Sequence, residues 1–112
     1  MTIWKVKPID QAPEIELEQW QILEVTSPYW VGATRHFVGY NTADREGRVS
    51  SAIAQFDKTK MQGITHSGRV YKLLGQPTWN KDAEYVWCSW CSVNLVESQQ
   101  NITKEFIDGQ KS

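Results

Sequence analysis

The spacing of apolar residues predicts β-structure in the middle of the chain. Thr34–Asn41 is rich in aromatic and β-branched residues and ends in polar turn formers, as expected of a strand. Arg48–Phe56 alternates between its two faces, which is the period of a half-buried strand. Met61–Thr65 and Arg69–Leu74 are two further short strands, joined by a tight turn at Ser67-Gly68.

Short polar segments connect these strands. Asp44-Arg45-Glu46-Gly47 supplies the first turn, in which Gly47 is free to adopt a positive φ, and Asp57-Lys58 supplies the second. Gly75-Gln76-Pro77 ends the β-region. Because connections this short place consecutive strands side by side, the sequence predicts an antiparallel meander of four or more strands.

The period changes from that of a strand to that of a helix after Pro77. Asn80 is a plausible N-cap, and Asp82 and Glu84 fall in the first turn, where carboxylates interact favourably with the helix dipole. Helical spacing runs from Ala83 to about Val96. One stripe of this helix holds Ala83, Trp87, Trp90 and Asn94, flanked by Val86 and Cys91. The predicted fold class is therefore α+β, with one amphipathic, aromatic-faced helix packed on the meander.

The first third of the chain leaves several interpretations open. Glu14–Leu17 and Trp20–Ile22 each alternate as strands, but the alternation slips at Glu18-Gln19. A β-bulge, two separate elements or a helical turn would each explain the slip. Residues 27–32 form a loop with two large aromatic side chains, and a last short helix or strand is expected around Ile102–Ile107.

Length and composition bound the class of protein. With 112 residues, the chain is expected to form a single domain over 1–112, with its core in 14–96 and less ordered termini. Contents of 40% hydrophobic and 22% charged residues exclude a disordered or fibrous protein. No apolar run approaches the roughly 20 residues of a membrane span, and the first residues do not resemble a secretory signal. We therefore expect a cytoplasmic protein.

Charge is distributed unevenly along the chain. Residues 34–72 carry seven Lys/Arg against three Asp/Glu, whereas both flanking segments are acidic and the whole chain has a net charge of −1. Attraction between segments of one fold would explain the pattern, and so would a basic binding face. On the second interpretation, arginines interleaved with aromatic rings would bind single-stranded nucleic acid, and the residues involved would be Arg35, Arg48, Arg69 and Tyr71.

No residue pattern predicts catalysis or metal binding. Cys88 and Cys91 have the spacing of a redox dithiol, but they fall in mid-helix, without the helix N-terminus that lowers a thiol pKa. We expect two partly buried structural thiols. His36 and His66 are scattered rather than paired, so a zinc site with the cysteines is not expected. Nucleophile elbows and phosphate-binding glycine loops are also lacking, and we expect neither a cofactor nor an enzyme.

The six tryptophans are unusual for a chain of this length. Trp30 lies beside Tyr29 in a loop bounded by proline and glycine, and Trp79 lies just before the helix, so neither tryptophan has an obvious buried position. Tyrosine and tryptophan are enriched at protein–protein contacts. Packing against their own fold is the alternative. We predict a non-enzymatic binding protein in which these three residues contact a protein partner.

Two segments, Gly47-Arg48-Val49-Ser50-Ser51-Ala52-Ile53 and Thr65-His66-Ser67-Gly68-Arg69-Val70-Tyr71-Lys72-Leu73-Leu74-Gly75, occur together with Asp82-Ala83-Glu84-Tyr85-Val86-Trp87. In this combination the chain resembles a loose group of small bacterial and prophage-borne proteins of unassigned function. The resemblance implies a bacterial or phage cytoplasmic origin and favours an accessory or inhibitory binding protein. It implies no catalytic activity.

Overall fold

A computed structural model describes residues 14–108, which form seven strands and two helices. The elements in chain order are β1 (Glu14–Thr26), β2 (Thr34–Asn41), β3 (Glu46–Val49), β4 (Ile53–Asp57), β5 (Gln62–Thr65), β6 (Val70–Leu73), α1 (Lys81–Val93), β7 (Ser98–Asn101) and α2 (Thr103–Asp108). The α+β class is confirmed, and β2 has the predicted bounds. None of the helices in this range is long and apolar enough to cross a membrane.

The sheet is mixed, so the prediction of a simple antiparallel meander with one helix is wrong. Its strand order is β3-β2-β1-β6-β5-β4, with β7 also paired to β1. The long strand β1 pairs with β2 along one edge. Along its other edge, its first half pairs in parallel with β6 and its second half pairs antiparallel with β7. Turn chemistry predicts only neighbouring antiparallel pairs, whereas the parallel pair joins strands that are distant in sequence.

The predicted strand Arg48–Phe56 is divided into β3 and β4 by a bend at residues 50–52. The Ser50 N–H donates to the Phe37 carbonyl at 2.9 Å, and the Ser50 hydroxyl accepts from the Phe37 N–H at 2.9 Å. Two residues later, the Ala52 carbonyl accepts from the His66 N–H at 2.8 Å. The bend therefore transfers the chain from β2 to β5 with its backbone groups hydrogen-bonded, and the sheet curls around its inner face.

A bulge in β1 explains the slip in the sequence pattern. The β1–β2 register shifts between Glu18 and Gln21, and Gln19 has a φ of 48°. The extra residue keeps Leu17 and Trp20 in the same buried cluster, although a regular strand would place them on opposite faces. Of the three interpretations left open above, the bulge is confirmed.

Both faces of the central strands are buried. The inner face of the curled sheet holds a cluster of eight buried side chains: Ile15, Leu17, Trp20, Ile22, Phe37, Tyr71, Leu73 and Ile102. On the outer face, α1 covers a second cluster formed by Leu23, Val25, Val38, Ala83 and Trp87. Because Ile102 is buried and Phe106 packs beside it, the core extends beyond the predicted limit of residue 96. The prediction of less ordered termini concerns mainly residues 1–13 and 109–112, outside the described range.

α1 begins where its sequence predicts and ends earlier. The Asn80 side chain accepts a hydrogen bond from the Ala83 N–H at 2.9 Å, so the predicted N-cap is confirmed. The helix ends at Val93 rather than near Val96, because Asn94 caps it and Leu95 turns the chain with a φ of 50°. Gly47 is not in the turn predicted for it. It lies in β3 beneath α1, and a Cβ there would come within 2.4 Å of the Asp82 carbonyl oxygen.

Ion pairs between segments account for part of the charge pattern. The Arg35 Nε lies 3.0 Å from the Glu24 carboxylate on the neighbouring strand. The Lys72 ammonium lies 3.3 Å from the Glu14 carboxylate. Each pair joins the basic middle segment to the acidic first segment. These contacts support attraction within one fold over a continuous basic binding face.

Candidate functional site

The loop between β1 and β2 meets the C-terminal end of α1. The Ser27 hydroxyl donates to the Asn94 carbonyl at 2.7 Å and accepts from the Tyr29 N–H at 3.0 Å. The Asn94 side chain in turn donates to the Trp90 carbonyl at 2.9 Å. A ring contact between Trp30 and Trp90, with centroids 6.2 Å apart, completes the junction. Hydrogen bonds and ring packing thus fix the loop against the helix end.

Neither of the two segments that meet here carries a charge. The sequence has no charged residue between Glu24 and Arg35, and none between Glu84 and Glu97, although 22% of the chain is charged. Large apolar side chains are nevertheless exposed at the junction: Tyr29 is 63% exposed and Val31 is 100% exposed. Val93 and Leu95 are each more than half exposed. We call these four residues, with the half-buried Trp30, the uncharged surface.

A row of aromatic rings lies beneath the uncharged surface. The rings of Trp87 and Trp90 are stacked, with centroids 5.3 Å apart, and His36 lies 4.6 Å from Trp90. The His36 Nδ1 is 2.9 Å from the Ser50 carbonyl, to which it donates. Burial lowers the pKa of His36, opposed in part by this hydrogen bond, so the ring is neutral at pH 7. The surface therefore rests on closely packed, uncharged groups.

Trp30 is half-buried at the junction. It packs against the cluster under α1, which is the alternative of burial in its own fold. Its indole N–H is also enclosed, and makes no hydrogen bond within the described part of the chain. An enclosed donor without an acceptor is rare in folded proteins. Tyr29, by contrast, is exposed.

Trp79 does not join Tyr29 and Trp30 in one patch. It is 46% exposed and precedes the N-terminal end of α1, where the Thr78 N–H donates to the Trp20 carbonyl at 3.1 Å. Because α1 has 13 residues, its ends are separated by about 20 Å. The three predicted contact residues thus occupy opposite ends of the helix. Tyr85, which is also exposed, lies near the Trp79 end.

The residues considered for nucleic-acid binding lie mostly inside the fold. Arg48, Arg69 and Tyr71 are buried together, and the Arg48 Nε donates to the Tyr71 hydroxyl at 2.9 Å. With Tyr71 only 2% exposed, no face of its ring is available to a base. Arg35 is exposed, but its guanidinium pairs with Glu24 and lies over the Phe106 ring. The structure therefore does not bring these four residues together on an exposed face.

The two cysteines are free thiols in the second half of α1. Cys88 is exposed, so the expectation that both thiols are partly buried holds only for Cys91. Burial, with a smaller effect of Cys88, raises the pKa of Cys91 to about 11. This thiol is therefore protonated at neutral pH and is a poor nucleophile. Within residues 14–108, no group of three or more His, Cys, Asp or Glu side chains is arranged to hold a metal ion.

Sequence reasoning missed Val31, Val93 and Leu95. Single valines and leucines are common at protein surfaces, and their spacing is unremarkable. The available indication was the absence of charge over two long stretches, which becomes meaningful only when the fold places both stretches side by side. Comparisons of the chain with protein-family models, curated proteins and solved structures gave no significant match.

Proposed function

We propose that the protein is a small, non-enzymatic cytoplasmic protein that binds another protein through the uncharged surface, as an accessory or inhibitory factor. The observation that carries the proposal is the exposure of Tyr29, Val31, Val93 and Leu95 where two charge-free segments meet. Contiguous exposed apolar patches mark interaction sites in monomeric proteins. Depletion of charge and enrichment in aromatic residues also characterise the buried centre of a protein–protein interface.

The contacts between the loop and the helix end support the same proposal. Ser27 and Asn94 fix the loop to the helix end, and the Trp30 ring is packed against Trp90. A partner would therefore meet a loop whose backbone is already held against the helix end. Binding to a preorganised surface loses less conformational entropy than binding to a mobile loop.

The backbone at Leu95 is a further supporting observation. Leu95 follows the C-cap Asn94 with a φ of 50°, a position at which helices usually carry glycine. A leucine in this conformation costs roughly 1–2 kcal/mol relative to the ordinary right-handed region. Its side chain is nonetheless more than half exposed, so burial of the side chain offsets little of that cost. A strained, exposed apolar residue is better explained by an intermolecular contact than by folding.

A pull-down with matched variants tests the proposal. Val31→Glu and Leu95→Glu each place a carboxylate within the uncharged surface, and Thr59→Glu places one on the exposed turn between β4 and β5. We expect a specific partner from a bacterial lysate to be retained by the wild type and by Thr59→Glu, and to be lost from the other two. Thermal unfolding of each variant verifies that the fold is kept. Equal retention by all four proteins would contradict the proposal.

Single-strand nucleic-acid binding through Arg35, Arg48, Arg69 and Tyr71 is the alternative class, and it requires Tyr71 to become exposed. Retention of an oligonucleotide that falls steeply with salt concentration would favour this alternative. We expect no such retention, because Arg48 and Tyr71 are buried against each other.

A further inference from the structure

β7 lies at an edge of the described part of the sheet. Within residues 14–108, β7 pairs only with β1, and all four of its residues are exposed. The Ile102 N–H donates to the Ile22 carbonyl at 2.9 Å, in the same register that pairs Leu23 with Asn101. Backbone groups alternate in direction along an antiparallel strand. The backbone N–H and C=O groups of Ser98 and Gln100 therefore point toward β1. The backbone groups of Gln99 and Asn101 point outward.

Apart from its shortness, β7 has none of the sequence features that usually prevent pairing at an edge. Its sequence, Ser98-Gln99-Gln100-Asn101, contains no charged residue and no proline. Exposed edge strands are commonly protected by lysine, proline or a covering segment, because their free backbone groups otherwise pair with another strand. The edge of β7 is thus competent to accept a further strand.

We propose that this strand is β7 of a second copy of the chain, paired antiparallel about a two-fold axis at Gln100. In this register, Gln99 lies opposite Asn101 of the partner subunit, and the two residues exchange both of their outward backbone hydrogen bonds. The same exchange occurs on the other side of the axis. The two sheets then form one continuous sheet, and each subunit contributes the same four residues, as an isologous interface requires.

Charge favours a second copy as the occupant of this edge. On the axis Gln100 meets its own counterpart, so a neutral residue is required there because like charges directly opposite each other are destabilising. The first charges on either side of β7 are Glu97 and Lys104, which are opposite in sign and exposed. Antiparallel pairing brings Glu97 toward the beginning of α2 in the other copy, close to Lys104 of the partner subunit. β7 and the charges that flank it are therefore complementary to the same segment of a second copy.

The interface is small and is expected to be weak. Four residues per copy bury less surface than the interfaces of stable complexes, so the dimer forms in a concentration-dependent way. The uncharged surface lies in the β1–β2 loop and at the end of α1, and its residues do not belong to β7. Dimerisation is thus a property separate from the proposed binding function.

A charge-swap experiment tests the register. Gln100→Lys and Gln100→Glu each place two like charges on the axis, so each variant alone should be monomeric in sedimentation velocity at concentrations where the wild type dimerises. An equimolar mixture places unlike charges there and should recover the dimer. Gln100→Glu also places a carboxylate opposite Glu24 on β1, and the pairing of Glu24 with Arg35 reduces that repulsion. Thermal unfolding of both variants verifies that each keeps its fold. A wild type that stays monomeric up to millimolar concentration would overturn the proposal, as would a mixture that fails to dimerise.

A second pair of variants tests the backbone hydrogen bonds. Gln99→Pro removes an outward N–H while leaving the pairing with β1 intact, and proline is tolerated at strand edges. Gln99→Ala removes only the side chain, which accepts a hydrogen bond from the Trp87 indole at 3.0 Å. In the symmetric dimer, proline removes the outward backbone hydrogen bond of residue 99 from both copies. We therefore expect proline to weaken dimerisation about tenfold or more relative to alanine. Equal dimerisation of both variants, or a dimer abolished by Val31→Glu instead, would show that β7 is not the interface.

Discussion

Replacing Gly47 with alanine should force α1 away from the sheet. A Cβ at this position would lie 2.4 Å from the Asp82 carbonyl oxygen and 2.6 Å from the Ala83 N and Cα. An ordinary contact needs about 1 Å more. All three obstructing atoms belong to the helix backbone, so no side chain can rotate out of the way. The first turn of α1 must therefore move as a unit.

The expected loss of stability is large for a single methyl group. Overpacking of a well-packed core typically costs about 1–3 kcal/mol, and we expect the upper end because the obstruction is backbone and the displaced turn carries the buried Ala83. Stabilities of small domains are about 5–15 kcal/mol, so such a loss is readily measured by urea unfolding monitored through tryptophan fluorescence. Gly75→Ala is the control. It has a φ of +69° and no atom within 4 Å, so it should show only the cost of the left-handed backbone, about 1 kcal/mol.

The same experiment distinguishes close packing from turn flexibility as the reason for glycine at position 47. Asparagine adopts the left-handed region more readily than alanine, so a turn position would tolerate Gly47→Asn better than Gly47→Ala. Close packing predicts the reverse order, because asparagine is larger. An alanine variant within about 0.5 kcal/mol of the wild type, or an asparagine variant more stable than alanine, would refute the packing argument.

Three further outcomes follow from the buried polar groups and the thiols. Burial lowers the pKa of His36 in the folded state. Its contribution to stability is therefore present above the unfolded pKa of about 6.5 and is lost as the pH falls through the folded pKa. The melting temperature should drop between pH 7 and 5, and it should drop less steeply in His36→Gln. Tyr71→Phe should cost about 1–3 kcal/mol by leaving the buried Arg48 Nε–H without that acceptor, and a double-mutant cycle with Arg48→Met should show non-additivity; additive effects would contradict the hydrogen bond. The exposed Cys88 should react with a disulfide reagent at pH 7 well before Cys91, whose pKa is raised to about 11, and Cys88→Ser should remove the fast phase.

The sequence predicted best those features that depend on neighbouring residues. β2 was predicted with its observed bounds because its aromatic and β-branched run ends in the turn formers Asn41 and Asp44. The start of α1 followed from Asn80, whose side chain caps the helix as expected. In both cases the deciding interaction lies within a few residues of the element. Local chemistry was therefore sufficient.

The features that were missed depend on contacts between distant segments. The parallel pairing of Glu14 with Val70 makes the sheet mixed, and no short turn in the sequence predicts this pairing. The polar residues before Gly47 predict a turn, but Arg45 takes the positive φ, and the helix packed on β3 requires the glycine. The alternating arginines of the middle segment suggested an exposed face, whereas the curling of the sheet encloses Arg48 and Arg69.

The exposure of Tyr29 and Val31 is a consequence of the way α1 lies on the sheet. At its first turn the helix backbone approaches β3 as closely as a glycine allows, whereas at its far end the rings of Trp87 and Trp90 lie between helix and sheet. Trp30 fills the remaining space beside Trp90, and its neighbours in the loop are left outside. Trp30→Ala should therefore release the loop, cost about 2 kcal/mol because the ring is only half-buried, and abolish partner binding as well. Val31→Glu should abolish binding at unchanged stability. If partner binding survives Trp30→Ala, the uncharged surface does not depend on the packing of the Trp30 ring, and this account of the surface is contradicted.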